Sequence, residues 1–372
     1  MERNWKQLLH DSIRDAQGLA LEFGFSEEEK AGLESLVKQY PVCINPYYLS
    51  LINKNDPDDP IRKMAVPNLK EFNPGGSMDT SGEASNTVVQ GMQHKYRQTA
   101  MILSTNQCAM YCRHCFRKRL VGLSDNEVAH HIPEMVSYVE KHTEINNVLI
   151  SGGDSFLNTS STLRRYLELF SAVDHVEFIR FGTRVPVVLP QRIYEDEELS
   201  LLLREYTRKK PVIIVTQFNH PREITGQADL ALRTLRDSGC IIRNQTVLLK
   251  GVNDAPDVLG DLLNRLVAHG VIPYYIFQCR PVSGVKNQFQ VPLLRGSSIV
   301  EEAKTLVSGQ AKGLRFAMSH PTGKIEILGS LPGGDFLFKY HQARDDKDAS
   351  RLFTVPLLPS HTWLDQNLAG VD

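Results

Sequence analysis

The chain has 372 residues, which is enough for one large α/β domain with appendages or for two domains. Its 42 Lys and Arg residues nearly balance its 43 Asp and Glu residues, so a net charge of -1 gives no reason to expect a nucleic-acid or membrane partner. The first residues are polar, no apolar run reaches membrane-spanning length, and six cysteines are too few for a disulfide scaffold. We therefore expect a cytoplasmic protein.

The first region of the chain, residues 1–72, is predicted to be helical. Residues 27–37 place apolar side chains on one helical face, and Ser26 with Glu29 has the spacing of a capping box. Residues 73–91 are rich in Gly, Ser, Asn and Asp, a composition that is typical of a linker or a flexible flap. We assign that linker to residues 73–93.

The central region, residues 94–295, alternates short apolar or β-branched runs with amphipathic helical stretches. The strand-like runs cover residues 100–104, 147–151, 176–182, 211–217, 240–248 and 272–278. Strands that alternate with helices form parallel βαβ units, and about six such units are fewer than the eight of a closed barrel. The pattern predicts an open, partial (β/α)6 barrel.

The last region, residues 296–372, contains one predicted helix at residues 298–308 and two strand-like runs around residues 315–318 and 324–328. Beyond Gly329 the sequence is Pro-rich and predicts an irregular C-terminal extension. We expect this extension to lie over the protein surface or over a neighbouring subunit of a homo-oligomer.

Three of the six cysteines lie within eight positions, in the segment CAMYCRHC that follows the first predicted barrel strand. Loops at the carboxyl ends of parallel strands carry active sites, so Cys108, Cys112 and Cys115 are candidate metal ligands. Thiolates suit iron–sulfur clusters, and three of them leave one iron of a four-iron cluster open. A zinc site completed by His114 is the alternative, but the second cysteine pair of zinc ribbons is missing. The other cysteines are predicted to be core residues: Cys43, Cys240 and Cys279.

The spacing C-x3-C-x2-C, with an aromatic residue before the second cysteine, resembles the radical S-adenosylmethionine superfamily. The resemblance implies a [4Fe-4S] cluster whose open iron binds S-adenosylmethionine and whose electron cleaves it to a 5′-deoxyadenosyl radical. This radical abstracts hydrogen from unactivated carbon, so the cofactor carries the hard chemistry. An electron donor such as flavodoxin or ferredoxin is implied as a partner.

Longer phrases resemble lysine 2,3-aminomutases and their relatives over roughly residues 5–328. They are PYYLSLI at 46–52, SGGD at 151–154, RVPVVLPQRI at 184–193, FNHP at 218–221 and NQTVLL at 244–249. The resemblance implies an isomerase that converts an α-amino acid to its β-isomer. It also implies pyridoxal phosphate as a further cofactor.

The resemblance assigns roles to individual residues. The segment formed by Ser151, Gly152, Gly153 and Asp154 receives the amino group of S-adenosylmethionine, since glycines let the backbone approach a ligand closely. Gln245 faces the same cofactor, although a buried glutamine without that role is an open alternative. Arg117 matches the arginine that binds the substrate α-carboxylate, for which a guanidinium fork is well suited.

Lys324, in the segment PTGKI, stands where the family places the lysine that holds the aldehyde of pyridoxal phosphate. The pattern departs from the family here, because the glycine run before the lysine is shorter. Lys95 replaces an arginine at the predicted phosphate site and Thr99 replaces another, with Arg97 nearby. The zinc-binding cysteines of the lysine enzyme have no counterpart after Cys279, so we expect no zinc.

The substrate is predicted from two positions where lysine 2,3-aminomutases carry aspartates that hold the substrate ammonium. Here one position is Arg280 and the other is Ser319 or its neighbour His320. A cation in place of an anion inverts selectivity, so the pattern predicts an acidic substrate such as glutamate or aspartate, not lysine. Pairing of Arg280 with a carboxylate of the protein, or a neutral polar substrate, stays open.

The sequence is also compatible with four other functions. The same radical could deaminate, dehydrate or epimerise a related small acid, which would be favoured if pyridoxal phosphate did not bind. The chain could also be a lysine 2,3-aminomutase, or a relative that acts on a lysine attached to a translation factor. A non-catalytic iron–sulfur module is disfavoured, because simple electron transfer prefers a cluster with complete cysteine ligation.

Overall fold

A computed structural model describes residues 4–372 of the chain. The N-terminal region is helical, as predicted, and its five helices are α1 (Trp5–His10), α2 (Ala16–Phe23), α3 (Glu27–Gln39), α4 (Pro46–Leu49) and α5 (Pro60–Ala65). The capping box is confirmed: the Ser26 side chain accepts from the Glu29 amide, and the Glu29 carboxylate accepts from the Ser26 amide. Leu19, Leu36 and Ile61 are fully buried in the same core as the barrel strands.

Part of the predicted linker forms a hairpin instead. Strands β1 (Thr87–Val89) and β2 (Met92–Tyr96) pair antiparallel, and β2 also pairs antiparallel with β3 (Thr99–Leu103). The turn at Gly91 has a positive φ, and a Cβ atom there would lie 2.3 Å from the Ala129 amide nitrogen. Residues 73–86 run instead along the loop after the sixth barrel strand, where the Ser77 amide donates to the Pro281 carbonyl at 2.9 Å.

The central region is an open barrel of parallel strands, as the sequence predicts. After β3 come α6 (Ile132–Lys141), β4 (Asn147–Ser151), α7 (Ser160–Ser171), β5 (Phe178–Gly182), α8 (Val185–Val188), α9 (Gln191–Tyr194), α10 (Glu197–Thr207), β6 (Val212–Thr216), α11 (Gly226–Asp237), β7 (Ile241–Leu248), α12 (Pro256–Ala268) and β8 (Ile272–Gln278). Each strand from β3 to β8 pairs in parallel with the next. All six predicted strands are therefore confirmed.

The C-terminal region extends the same sheet. It consists of α13 (Lys286–Phe289), α14 (Leu293–Thr305), β9 (Arg315–His320), β10 (Gly323–Ser330), β11 (Asp335–Ala343), β12 (Leu352–Pro356), β13 (Trp363–Leu364) and β14 (Gly370–Val371). Strand β9 is a seventh parallel strand, whereas β10, β11 and β12 follow antiparallel. The strands of the sheet follow one another from β1 to β12 in sequence order, so the barrel is open.

Strands β11 and β12 lie where the sequence predicts an irregular extension. The alternating side chains of Phe336, Phe338 and Tyr340 are buried in a second apolar core together with α14. This burial stabilises β11 in spite of the Gly and Pro residues around it. Within residues 4–372, no helix is long and apolar enough to span a membrane.

Candidate active site

A cavity of about 370 Å³ lies inside the partial barrel and brings nearly all of the predicted site residues together. Its lining includes Lys95, Cys108, Cys112, Cys115, Arg117, Ser151, Gly152, Gly153, Asp154, Gln245, Arg280, Ser319 and Lys324. Arg97 is the exception among the predicted residues. Its side chain is 66% exposed and its guanidinium lies 3.8 Å from the Asp346 carboxylate, outside the cavity. The structure therefore does not support a cofactor contact for Arg97.

The N-terminal region holds the cysteine loop in place through Glu71. The Arg113 side chain is fully buried and donates from Nε to Glu71 Oε1 at 2.9 Å and from Nη2 to Glu71 Oε2 at 2.5 Å. Lys118, at the other end of the loop, also binds Glu71. Burial acts to raise the pKa of Glu71, but Arg113 and Lys118 outweigh it and hold the pKa below its usual value. The loop is therefore held by one buried carboxylate.

The three thiols of the loop suit a four-iron cluster. Cys112 Sγ accepts from Arg184 Nη1 at 2.8 Å, and Cys115 Sγ accepts from the Arg117 amide at 3.3 Å. Burial raises the pKa of Cys108 well above its usual value and that of Cys115 to about 11, so binding of a metal must displace their protons.

No three His, Cys, Asp or Glu side chains in residues 4–372 converge on a point where a single metal ion could sit. A cubane is bound around its periphery, so its thiolates do not have to converge in that way. The imidazole of His114 is directed elsewhere, because its Nε2 atom lies 3.0 Å from Gln217 Nε2 and 3.2 Å from Asn219 Nδ2. Three thiol ligands without a fourth fit a cluster with one open iron.

The two glycines after β4 serve the packing of the cysteine loop. A Cβ atom on Gly152 would lie 2.4 Å from the Thr105 carbonyl oxygen, and one on Gly153 would lie 2.4 Å from the Gln107 carbonyl oxygen. The Gly153 amide donates to Thr105 at 2.6 Å, which fixes the segment just before Cys108. From the sequence we expect these glycines to approach a bound ligand. In the structure they approach the backbone of Thr105 and Gln107, and this contact positions the cysteine loop.

Asp154 is a buried residue of the cavity lining, and its carboxylate already accepts hydrogen bonds from the protein. Thr183 Oγ1 donates to it at 2.5 Å and the Arg184 amide donates to it at 2.7 Å. Burial raises the pKa of Asp154 in spite of these hydrogen bonds. Asp154 therefore links the end of β4 to the loop after β5, the loop from which Arg184 reaches Cys112.

Arg117 is also saturated by partners within the protein. Its Nε donates to Glu83 Oε1 at 3.0 Å, and its Nη1 donates to the Gly152 carbonyl at 3.2 Å. The other carboxylate oxygen, Glu83 Oε2, accepts a hydrogen bond from Arg119 Nη2 at 2.6 Å. Burial opposes ionisation of Glu83, but the two arginines dominate and lower its pKa to about 2. A substrate carboxylate can therefore bind the Arg117 guanidinium only if the ion pair between Arg117 and Glu83 opens.

Lys324 lies at the other end of the cavity, on β10. Its Nζ donates to Gln342 Oε1 at 3.1 Å and lies 4.4 Å from the centre of the Tyr275 ring. Burial, assisted by the neighbouring cations Arg180 and Arg280, lowers the pKa of Lys324 to about 7. The lowered pKa favours the neutral amine near physiological pH, and this is the form that reacts with an aldehyde.

Arg180 and Arg280 both present an unsatisfied donor to the cavity region. Arg280 stacks on Phe116 with its guanidinium carbon 4.0 Å from the ring centre, and its buried Nη1 has no hydrogen-bond partner among residues 4–372. In the same part of the chain the buried Nε of Arg180 has no partner either. Burial lowers the pKa of Arg280 to about 10. Within the described residues neither arginine forms a salt bridge, and the carboxylates of Glu83 and Asp79 act on Arg280 only from beyond salt-bridge distance.

Lys95 completes this group of cations. Its Nζ donates only to carbonyl oxygens, those of His320 at 2.7 Å and Ser81 at 3.3 Å. Burial and the nearby Arg280 lower the pKa of Lys95 to about 7. The imidazole of His320 turns away towards Thr322, so Ser319 and not His320 faces the cavity.

Three residues of the site were missed in the sequence. Arg180 is a charged residue inside a predicted strand, and this alone could have marked a side chain that faces into the barrel. Glu83 lies in a polar segment that offers no periodic signal. Gln342 could have been found only by recognising the alternation of buried aromatic residues in β11.

No family model matches the chain. A putative L-lysine 2,3-aminomutase from Aquifex aeolicus is 39% identical to it, and the match covers 91% of both chains. The L-lysine 2,3-aminomutase of Clostridium subterminale is 38% identical, over 82% of this chain and 73% of that protein. The glutamate 2,3-aminomutase of Clostridioides difficile is 35% identical, over 83% of this chain and 72% of that protein.

A crystal structure of a radical SAM methyltransferase from Sphaerobacter thermophilus is 14% identical, with a TM-score of 0.40 over 61% of this chain and 68% of that chain. A likeness of this size carries no inference. The relatives of 35–39% identity match over 82–91% of this chain. The chain therefore belongs to the lysine 2,3-aminomutase family, and it is a radical S-adenosylmethionine aminomutase, an isomerase that uses a [4Fe-4S] cluster and S-adenosylmethionine.

Proposed function

We propose that this aminomutase converts an acidic α-amino acid, such as glutamate or aspartate, to its β-isomer, with pyridoxal phosphate held at Lys324. The observation that carries the proposal is the unbalanced charge of the cavity. Four cationic side chains, Lys95, Arg180, Arg280 and Lys324, line the cavity without a salt-bridge partner in residues 4–372.

Buried cations without a partner are costly, so proteins retain them where a ligand supplies the opposite charge. The two acidic side chains that line the cavity, Glu83 and Asp154, are already bound to Arg117, Arg119 and the Thr183–Arg184 segment. A phosphate and the two carboxylates of an acidic amino acid would supply the missing negative charge. A lysine substrate would add one more cation to the site.

We expect Arg280 to bind the side-chain carboxylate of the substrate and so to select an acidic amino acid. It lies on Phe116, one residue after Cys115, so its guanidinium is close to the cysteine loop. Its free Nη1 donor makes it available to a carboxylate, in contrast to the saturated Arg117. Ser319 lines the same cavity and offers a neutral hydroxyl.

When bound, pyridoxal phosphate supplies an aldehyde that condenses with amines, and the cluster with S-adenosylmethionine supplies the hydrogen-abstracting radical. Lys324 would hold the aldehyde through its amine, whose pKa burial and nearby cations lower to about 7. Lys95 and Arg180 would supply positive charge for the phosphate. The rings of Tyr96, Tyr275 and Phe277 surround the amine.

The family chemistry requires one electron to reduce the cluster, and a flavodoxin- or ferredoxin-type donor is part of the proposal. A homo-oligomeric state stays a prediction from the sequence. Both can be examined on the same anaerobic preparation.

The substrate proposal is tested by competition among lysine, glutamate, aspartate, glutamine and alanine on the anaerobic enzyme, with the β-isomers as readout. We expect the wild type to prefer glutamate or aspartate, and Arg280→Asp to lose that preference by about 100-fold or more, since a like charge enters a desolvated site. Arg208→Asp, at an exposed position, is the matched control. Turnover of lysine by the wild type, or an unchanged preference in Arg280→Asp, would refute this assignment.

The cofactor proposal is tested by borohydride reduction of the anaerobic holoprotein, followed by peptide mapping. Reduction fixes the cofactor covalently on the lysine that holds it, which we expect to be Lys324. Lys324→Ala should lose the label, whereas Lys339→Ala, on the neighbouring strand β11, should keep it. A label on another lysine overturns the residue assignment. A holoprotein without any label favours a different radical reaction, such as deamination, dehydration or epimerisation.

A further inference from the structure

The C-terminal strand β11 brings one polar side chain to Lys324. Gln342 lies opposite Lys324 in the ladder of β10 and β11, and its Oε1 accepts from Lys324 Nζ at 3.1 Å. We propose that Gln342 is a positioning residue, whose neutral amide fixes the place of the Lys324 amine in the cavity without giving it a counter-charge. The inference rests on the proposed role of Lys324. Gln342 itself lies beyond residues 5–328, the stretch whose sequence resembles the family.

The pairing of Gln342 with Lys324 is fixed by the backbone. Gly323 has a φ of +157°, and a Cβ atom there would lie 2.3 Å from the Gln342 carbonyl oxygen. Any other residue at position 323 would push β11 away from Lys324. The register shifts immediately after this pair, since Lys324 pairs with Gln342 but Ile325 pairs with Tyr340. This bulge points Gln342 into the cavity, out of the alternation that buries Tyr340 and Phe338.

A second set of contacts closes the hairpin behind the pair. The Arg344 amide donates to the Thr322 carbonyl at 2.8 Å, and the hydroxyl groups of Thr322 and Tyr340 lie 2.8 Å apart. His320 Nδ1 lies 2.7 Å from the same Thr322 hydroxyl. The turn that carries Lys324 is therefore tied to β11 on both sides of Gln342.

Apart from Ser319, which pairs with Lys324 from β9, the other groups around Lys324 are aromatic or cationic. They are Tyr96 on β2, Tyr275 and Phe277 on β8, Arg180 on β5, Lys95 on β2, Arg280 after β8 and His341 on β11. None of these groups accepts a hydrogen bond from Nζ, so the Gln342 amide gives this amine its one hydrogen bond within the described residues. A carboxylate at position 342 would instead form an ion pair with the ammonium and hold its proton.

The test measures the reactivity of the Lys324 amine in the full-length protein, without any need for the cluster or for turnover. Methylation by formaldehyde and cyanoborohydride is followed by peptide mass spectrometry between about pH 5 and 10, since only the neutral amine reacts. Gln342→Glu should move the half-maximal rate upwards by about one pH unit or more. The rate at neutral pH should then fall about tenfold. Gln90→Glu makes the same change on an exposed side chain and should leave the profile unchanged.

Gln342→Met removes the acceptor without adding charge. It should keep the pH profile of methylation close to that of the wild type but reduce borohydride-fixed pyridoxal phosphate on Lys324 about fivefold or more at limiting cofactor, because the amine is no longer held in place. A wild-type profile in Gln342→Glu, or wild-type labelling in Gln342→Met, overturns the inference. A shifted profile in Gln342→Glu, in a protein whose wild type takes no label at all, supports the placement of the amine by Gln342 and refutes the proposed cofactor.

Discussion

The two ends of the cavity differ in whether their cationic side chains form ion pairs. At the end that carries the cysteines, buried arginines have a carboxylate partner: Arg113 binds Glu71, Arg117 binds Glu83 and Arg184 binds Glu223. At the end that carries Lys324, the cations Lys95 and Arg180 bind only neutral groups of the described chain, and Arg280, between the two ends, stacks on Phe116. The first end is complete as a scaffold, whereas the second end is the one that our proposal completes with bound anions.

This difference has a physical reason. A cluster of three thiolates and one open iron needs ligands at fixed positions, and closed ion pairs with two or more hydrogen bonds each hold a loop rigidly. Anionic ligands that enter and leave need donors that are not already satisfied. The ligand-free protein tolerates the resulting repulsion, because many apolar side chains are buried around both ends.

The largest expected effect follows from the thiols. Cys112→Ala should abolish cluster assembly and reductive cleavage of S-adenosylmethionine, since three ligands leave none to spare, and Cys108 and Cys115 should behave alike. Iron content and 5′-deoxyadenosine formation provide the measurement. Cys240→Ala, in the apolar core, should retain both, and full cluster content in Cys112→Ala would remove the basis for this end of the site.

The second effect tests the closed ion pairs at the cysteine end. Glu83→Gln leaves Arg117 and Arg119 without their shared buried anion and should lower the unfolding free energy at neutral pH by about 3 kcal/mol. Denaturant unfolding measures this loss. Glu140→Gln, on the exposed face of α6, should change it by less than about 0.5 kcal/mol.

The same pair predicts a pH dependence. The pKa of Glu83 is lowered to about 2, so its contribution is fully present above its ordinary pKa and is lost as the pH falls towards 2. The wild type should therefore lose more stability than Glu83→Gln in that acidic range. Parallel acid-unfolding curves for the two proteins would contradict the closed pair.

The smallest effect tests the open end, and its sign is opposite. Arg180→Met removes a desolvated cation that repels Lys324, so the ligand-free protein should gain about 1 kcal/mol of unfolding free energy. The same replacement at Arg113, whose partner is Glu71, should cost about 3–5 kcal/mol. Equal losses for the two variants in denaturant unfolding would erase the distinction between the two ends.

Much of the fold could be predicted from local sequence patterns. Alternating apolar runs and amphipathic helices identified all six central strands, and residues 147–151 and 272–278 match β4 and β8 without any shift. The patterns failed where tertiary contacts decide. Strand β11 is stabilised by Phe336 and Phe338 in a core that forms only when α14 packs on it. The hairpin of β1 and β2 depends on the close approach of Gly91 to residue 129.

For the site, the sequence by itself determined the fixed spacing of three thiols in one loop, and its resemblance to the family pointed to Lys324. Only the tertiary structure decided which charges have partners. Arg117 and Arg280 are both candidate substrate-binding arginines in the sequence. In the structure Arg117 binds Glu83, whereas Arg280 stacks on the ring of Phe116. Arg97 and Lys95 are two residues apart, but only Lys95 turns into the cavity. Pairing depends on residues that lie far apart in the chain and meet only after the barrel has formed, so no local pattern encodes it.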